Sequence, residues 1–413
     1  MYKRIFMVFN NIEKYDKKLF SFVKEELFLQ ENKIELLSSI NYSSLKIIEL
    51  QNCKLINKNR NNIYYINNIE KLAIKRACKL FGCDYANIIF DSYNEANELI
   101  YKALTNSGDI IICISINHYN SDIENHYNFL GRKIIYIKYQ ILNNEIKKNK
   151  ILELINKYKP KLIKIILYEY ILNIDWAIFR KISNYINSYL IIDISKITGL
   201  IVINEYPTPI NYAHIVITST NNNLRGPIGG LILSKNNPDI CNIIDSFLFI
   251  NNKSIYKKNS LVAKTVCFKE ALDLNFKNYQ LQIRKNVKVM IEIFINRGYE
   301  IILNNEKNSF FLISLIEYGV KGKYIKYILK KINILVDIFF ISNYSKNLAI
   351  TSGIKLCTSA ITTRGFKEKE CKNLAIWICD ILDNIKNKKN FYIIKKKINI
   401  KVNKLCKKIP IYK

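Results

Sequence analysis

Apolar and polar positions along this chain follow two periods, and the switches between them mark out its elements. Residues 13–31 interleave Leu19, Phe20, Phe22, Val23, Leu27 and Leu29 with Lys and Glu at helical spacing, which predicts an amphipathic helix. Residues 68–81 predict a second helix, carrying Ile69, Leu72, Ala73, Ala77 and Leu80. Short apolar runs then take turns with helical stretches. Strands are predicted at 86–90, 109–114, 134–138, 162–167, 190–193, 214–218 and 230–233, with helices at 95–104 and 176–187. The run 161–167 is apolar but short and holds Lys164 inside it, so it reads as a buried strand rather than a span of a bilayer. This alternation predicts an α/β layer on a mostly parallel sheet.

Beyond residue 259 the pattern changes. Residues 259–297 form a long helical stretch with few breakers. After Gly298 come short strands and two helices, 321–331 and 367–387, which suggest a smaller α+β domain. The expected division is an N-terminal arm at 1–60, a large α/β domain at 61–275 and a small C-terminal domain at 276–413. The Lys-rich segments 147–150 and 388–397 read as solvated faces or loops, and no internal repeat is visible.

Charge and composition change this picture little. The net charge of +30 invites a nucleic-acid reading. The overused residues, however, are Ile, Asn, Lys and Tyr, against only 12 Gly and 6 Pro. Their codons are mostly A and T, so base bias raises all of them together, and the lysines form no stripe. Specific nucleic-acid binding is therefore not expected. None of the ten cysteines forms a CxxC pair, and there are only three histidines, His118, His126 and His214. This argues against structural zinc and for thiols in a reducing compartment. No signal peptide is expected at residues 1–10, and no membrane span, so the chain is expected to be cytoplasmic.

Candidate chemistry lies in a few segments. They are 30–44 (QENKIELLSSINYSS), 72–88 (LAIKRACKLFGCDYANI), 189–207 (YLIIDISKITGLIVINEYP), 217–234 (ITSTNNNLRGPIGGLILS), 350–366 (ITSGIKLCTSAITTRGF) and the closing 409–412. In this order and at this spacing, the chain resembles serine hydroxymethyltransferase along essentially its whole length. The resemblance implies a fold-type I, aminotransferase-like pyridoxal phosphate enzyme, active as a homodimer. The family moves the hydroxymethyl carbon of serine to tetrahydrofolate, giving glycine and methylenetetrahydrofolate in one-carbon metabolism. The cofactor carries the electronic work and the protein aims it.

Carried over residue by residue, the resemblance finds a site partly kept and partly lost. Asp193 falls on the aspartate that pairs with the cofactor's pyridine nitrogen. Ser92, Asn97 and Ser219 match cofactor-side positions, Thr220 belongs with the catalytic set, and Ser39 and Tyr65 match substrate-side residues. The Schiff-base lysine, however, aligns with Asn222, and an amide nitrogen is not a nucleophile. Lys196, three residues after Asp193, stands where the family has a histidine and is a candidate relocated amine. In the phosphate turn Tyr93 replaces a glycine, and Glu95 places a like charge near a dianion. The partner-subunit glycine loop falls on 250–256, which holds no glycine. The ring-stacking imidazole aligns with Ser121, beside His118. The segment with the catalytic glutamate falls near 59–66, which is shortened and carries no acid. The carboxylate-binding arginine is Lys355, which keeps the charge without the bidentate fork. Two functions follow. One is a weakly active enzyme that holds pyridoxal phosphate without a covalent link and binds tetrahydrofolate poorly. The other is a catalytically dead dimer kept for binding or interaction.

Overall fold

The computed structural model describes residues 10–53, 64–117, 123–140, 148–167, 174–250, 258–303, 308–340, 352–385 and 388–412. The chain divides into two units: residues 1–42, 282–341 and 345–413 form one, and 43–281 with 342–344 the other. Strand β1 (Ile34–Leu36) belongs to the first unit. Eight strands form the sheet of the second. They are β2 (Tyr85–Asn87), β3 (Ile110–Asn117), β4 (Ile123–Phe129), β5 (Arg132–Gln140), β6 (Leu162–Leu167), β7 (Tyr189–Asp193), β8 (Ile215–Ser219) and β9 (Gly230–Ser234). Strands β10 (Ile301–Leu303), β11 (Phe310–Ser314), β12 (Ile334–Phe340) and β13 (Ser352–Cys357) return to the first.

The eight-stranded sheet runs β2-β9-β8-β7-β6-β3-β5-β4. Its centre, from β8 through β7, β6 and β3 to β5, is parallel, and antiparallel pairs close both edges. This is the expected α/β layer on a mostly parallel sheet. Parallel strands are covered on both faces, which is why β6 and β8 read as nearly continuous apolar runs. Helices Tyr93–Leu104 and Pro238–Ile250 cover one face, packing Ala96, Leu99, Ile100, Ile240 and Ile244 onto Ile111, Ile191, Ile215 and Ile232. Helices Tyr64–Phe81 and Leu45–Gln51 both pack on helix Lys258–Ala271.

The five-stranded sheet of the other unit runs β1-β12-β13-β11-β10, with only β1 and β12 parallel. Its core gathers Ile34, Leu36, Phe294, Phe311, Val336, Ile354, Leu374 and Ile378. The long stretch read at 259–297 is two helices, Lys258–Ala271 and Leu274–Asn296. Asp273 accepts from the amide of Asn275 at the break and starts the second. Of the two readings of the Lys-rich 388–397, a solvated face or a loop, it is a helix face: it opens helix Lys388–Lys408, which buries Ile398, Val402 and Cys406 one turn apart and leaves Lys396, Lys397, Lys404, Lys407 and Lys408 exposed. Strand β4 was not foreseen. It pairs only with β5 at the sheet edge, and Tyr127 on it is exposed. All ten cysteines are free thiols. Among the described residues no helix is long and apolar enough to cross a membrane.

Candidate functional site

The carboxyl ends of parallel strands are where an open α/β sheet presents ligand-binding residues. Here that edge holds a buried polar network. Asp193 ends β7 and is 6% exposed. Its Oδ1 accepts the amide of Ser195 at 2.9 Å. Its Oδ2 accepts the hydroxyl of Tyr93. Tyr93 is the first residue of helix Tyr93–Leu104, and that start aims its side chain at the strand ends.

A second charge completes the network. Lys164 on β6 is 3% exposed, and its ammonium donates to the Tyr93 hydroxyl at 2.9 Å and to Oδ1 of Asn97. Register places Lys164 opposite Ile191 and Ile166 opposite Asp193, so Lys164 and Asp193 point to the same face. The ammonium also lies over the rings of Tyr93 and Tyr101, 5.1 and 5.9 Å from their centroids. Burial pulls the Lys164 pKa down, and the Asp193 carboxylate opposes that. Burial, then the same carboxylate, pushes the Tyr93 phenol well above its ordinary range. The Tyr93 hydroxyl thus stays protonated, accepting from an ammonium and donating to a carboxylate. Asn97 is held by its own amide, which donates to the carbonyl of Tyr93 at 3.2 Å.

The helix start is occupied by its own side chains. Ser92 is the N-cap, its Oγ accepting the amide of Glu95 at 3.1 Å. Glu95 reaches back to accept the amide of Asp91 at 3.0 Å. The first bond is an N-cap, and the second ties Glu95 to the residue before that cap. Two buried hydroxyls near the network, Ser115 Oγ and Ser195 Oγ, have no hydrogen-bond partner. Both are neutral and carry no charge to match a phosphate dianion.

After β8 the chain makes the turn that carries Asn222. Ser219 closes the strand, 8% exposed. Thr220 is fully buried, and its hydroxyl donates to the carbonyls of Pro227 at 2.5 Å and Gly229 at 3.2 Å. Asn222 opens a short 3-10 turn with φ of 55° and accepts from the side-chain amide of Asn221 at 3.3 Å. Asn223 ties this turn to the loop after β7, donating to the carbonyls of Ser195 at 2.9 Å and Lys196 at 3.1 Å. Lys196 is half-buried there. Gly226 has no room for a side chain, since a Cβ would stand 2.7 Å from the carbonyl of Thr220 and 2.6 Å from Sγ of Cys267. The buried ammonium of Lys264 donates to the carbonyls of Ile88 and Phe90, each at 2.6 Å, and burial pushes its pKa down to about 8.

The expected site residues therefore fall into separate groups. Asp193, Tyr93 and Asn97 meet in one network. Thr220, Asn222 and Lys196 share the loop layer beside it. Tyr65, on helix Tyr64–Phe81, is 78% exposed. Ser39 and Lys355 belong to the other unit. There Ser39 is exposed in a turn, while Lys355 is buried on β13 with its ammonium 3.9 Å from the Phe310 ring centroid. His118, Ser121, residues 54–63 and residues 251–257 lie outside the described residues. Lys164 was missed as a site residue. Its one signal was a cation inside an otherwise apolar strand. Among the described residues no cluster of His, Cys, Asp and Glu could hold a metal.

Comparison with known proteins matches these segments as a set. The family model described as Serine hydroxymethyltransferase matches residues 12–378. A serine hydroxymethyltransferase of Wigglesworthia glossinidia brevipalpis is 43% identical over 418 residues, covering 98% of each chain. One from Buchnera aphidicola is 39% identical over 424 residues, covering 98% of this chain and all of that one. Serine hydroxymethyltransferase 2 of Pseudomonas putida is 36% identical over 416 residues, covering 97% of this chain and 98% of its own. With both sheets built from the segments that carry the likeness, and with such identity from end to end, the chain belongs to the serine hydroxymethyltransferase family, of pyridoxal phosphate fold type I.

Proposed function

We propose that this chain keeps the family's fold without its covalent cofactor chemistry, so that it converts serine and tetrahydrofolate to glycine and methylenetetrahydrofolate weakly at most. The observation that carries this reading is Asn222 at the position of the family's Schiff-base lysine, in a turn that offers no other lysine. A carboxamide nitrogen is delocalised into its carbonyl and does not attack an aldehyde.

The residues present do not fit bound pyridoxal phosphate. Both oxygens of Asp193 already accept hydrogen bonds. Ser92 caps its own helix, Glu95 is engaged by the amide of Asp91, and Glu95 opposes a dianion there. Lys355 would hold a substrate carboxylate less firmly than a guanidinium does. Tetrahydrofolate binding is weak on the same reading, given the acid-free segment 59–66 and the glycine-free 250–256.

The chain is read as a cytoplasmic homodimer. Leu19, Phe22 and Phe28 on helix Lys17–Asn32 are exposed, and a partner subunit would cover such side chains. A purely structural or interaction role, as a pseudoenzyme, is the limit of this reading when turnover is nil.

Borohydride reduction after incubation with pyridoxal phosphate, followed by peptide mass mapping, tests the proposal. The expected result is no adduct within residues 217–227 and none on Lys196. A reduced adduct on Lys196 would show that the amine has moved, and would overturn the loss of covalent chemistry.

A further inference from the structure

We infer that Tyr93 acts as an internal ligand that closes the cofactor site, its phenol taking the hydrogen bond of Asp193 that a cofactor ring would need, with Lys164 as the balancing charge. The inference rests on Asp193 being the ring's partner, as the proposed function takes it to be.

A protonated pyridine ring would present to Asp193 a six-membered aromatic ring with a donor at its edge. Tyr93 presents the same combination. Its ring comes from the helix start, and its hydroxyl donates to Oδ2 while Oδ1 takes the amide of Ser195. A pyridinium would also bring a positive charge beside the carboxylate. Here that charge is the ammonium of Lys164, 2.9 Å from the Tyr93 hydroxyl and nearly solvent-free. The two side chains work as a pair. Tyr93 alone would leave the buried carboxylate without a counter-charge, and Lys164 alone would be a buried ammonium seeking acceptors. Asn97 and the two tyrosine rings take up the rest of the ammonium's surface. Tyr93 in the family's phosphate turn thus does more than add bulk, because it reaches across to the ring partner.

The test uses the full chain and free pyridoxal phosphate, read by equilibrium dialysis and by thermal melting with and without the cofactor. Wild type is expected to show no saturable uptake and no rise in melting temperature. Removing Tyr93 alone would let Lys164 close on Asp193, so the opening variant is Tyr93→Gly with Lys164→Met. It should take up cofactor without a covalent link and melt higher in its presence. Adding Asp193→Asn should abolish that uptake. Tyr93→Phe decides independently. It keeps the ring and loses the bridge, and should melt several degrees below wild type while still refusing cofactor. Saturable uptake by wild type, a folded opening variant that takes up none, or Tyr93→Phe melting like wild type would each overturn the inference. Uptake by wild type without a borohydride-reducible adduct would overturn it while leaving the loss of covalent chemistry standing. An adduct mapped to Lys196 would overturn the proposed function as well.

Discussion

Arg364 donates through Nη1 to the backbone carbonyl of Lys33, 331 residues before it in the chain, at 2.7 Å. The same guanidinium reaches the carbonyls of Glu31 at 2.6 Å, Cys406 at 2.9 Å and Ile409 at 2.6 Å. One buried side chain thereby joins the N-terminal helix, β1 and the C-terminal helix of that unit. Arg364→Ala leaves four carbonyls short of a donor and should lower stability by about 3–5 kcal/mol. Arg364→Lys has the charge but not the fork, and should recover less than half of that. Denaturant unfolding of the three proteins checks both expectations. An Arg364→Lys variant as stable as wild type would show that charge, not geometry, holds these segments.

On the proposed function, placing a lysine at position 222 should not by itself produce an active enzyme. Asn222→Lys is expected to give neither the visible absorbance band of lysine-bound cofactor nor folate-dependent cleavage of serine. Asp193 stays engaged by Tyr93, the helix start stays capped by Ser92, and Glu95 stays engaged by the amide of Asp91. On the proposed reading, segment 59–66, which holds no acid, cannot supply a general acid–base contribution worth about a hundredfold or more. Turnover near that of an intact relative after this single change would refute site-wide loss.

Folate binding should be absent as well. Calorimetry with tetrahydrofolate and glycine together is expected to show no saturable heat. Micromolar affinity would count against the argument from segments 59–66 and 250–256.

Acid should weaken the fold through His214. Its Nδ1 accepts the amide of Leu190 at 2.8 Å, and burial, then Arg180, pulls its pKa down to about 4. In the unfolded chain a histidine titrates near about 6.5. Between these values the unfolded state binds more protons, so this contribution is fully present above about pH 6.5 and is lost as pH falls toward 4. Carboxylates titrate in part of the same window, so a variant isolates the effect. His214→Gln should be less stable near neutrality yet lose less between pH 6.5 and 4. Parallel pH profiles for the two proteins would rule His214 out.

Much of this architecture was legible in the sequence, for a physical reason. Central parallel strands are buried on both faces, so 162–167 and 190–193 stand out as β-branched runs, and the structure returns them as β6 and β7 almost unchanged. Edge elements carry weaker signals. In β4, His126, Tyr127 and Asn128 are all exposed, leaving no apolar run to detect. Helix Lys388–Lys408 hid behind its lysines, although Ile398, Val402 and Cys406 repeat every four residues. The site was legible where it is made of backbone turns and motif positions. The bridge was not, because Lys164 meets Tyr93 across 71 residues of chain, and no local pattern reports a contact between a strand and a distant helix start.

That bridge gives sequence change a direction. Replacing Lys164 by an apolar residue strips the counter-charge from a buried carboxylate. Replacing Asp193 leaves an ammonium and a phenol facing each other in the interior, and replacing Tyr93 breaks the relay between two charges. Losing Lys164 or Asp193 strands a buried charge, at about 3–5 kcal/mol, whereas losing Tyr93 lets Lys164 close on Asp193, so no single step opens the site. The route to an open site passes through at least two replacements made together. A replacement on the lysine-rich surface carries little such cost, while the centre resists being reopened one residue at a time.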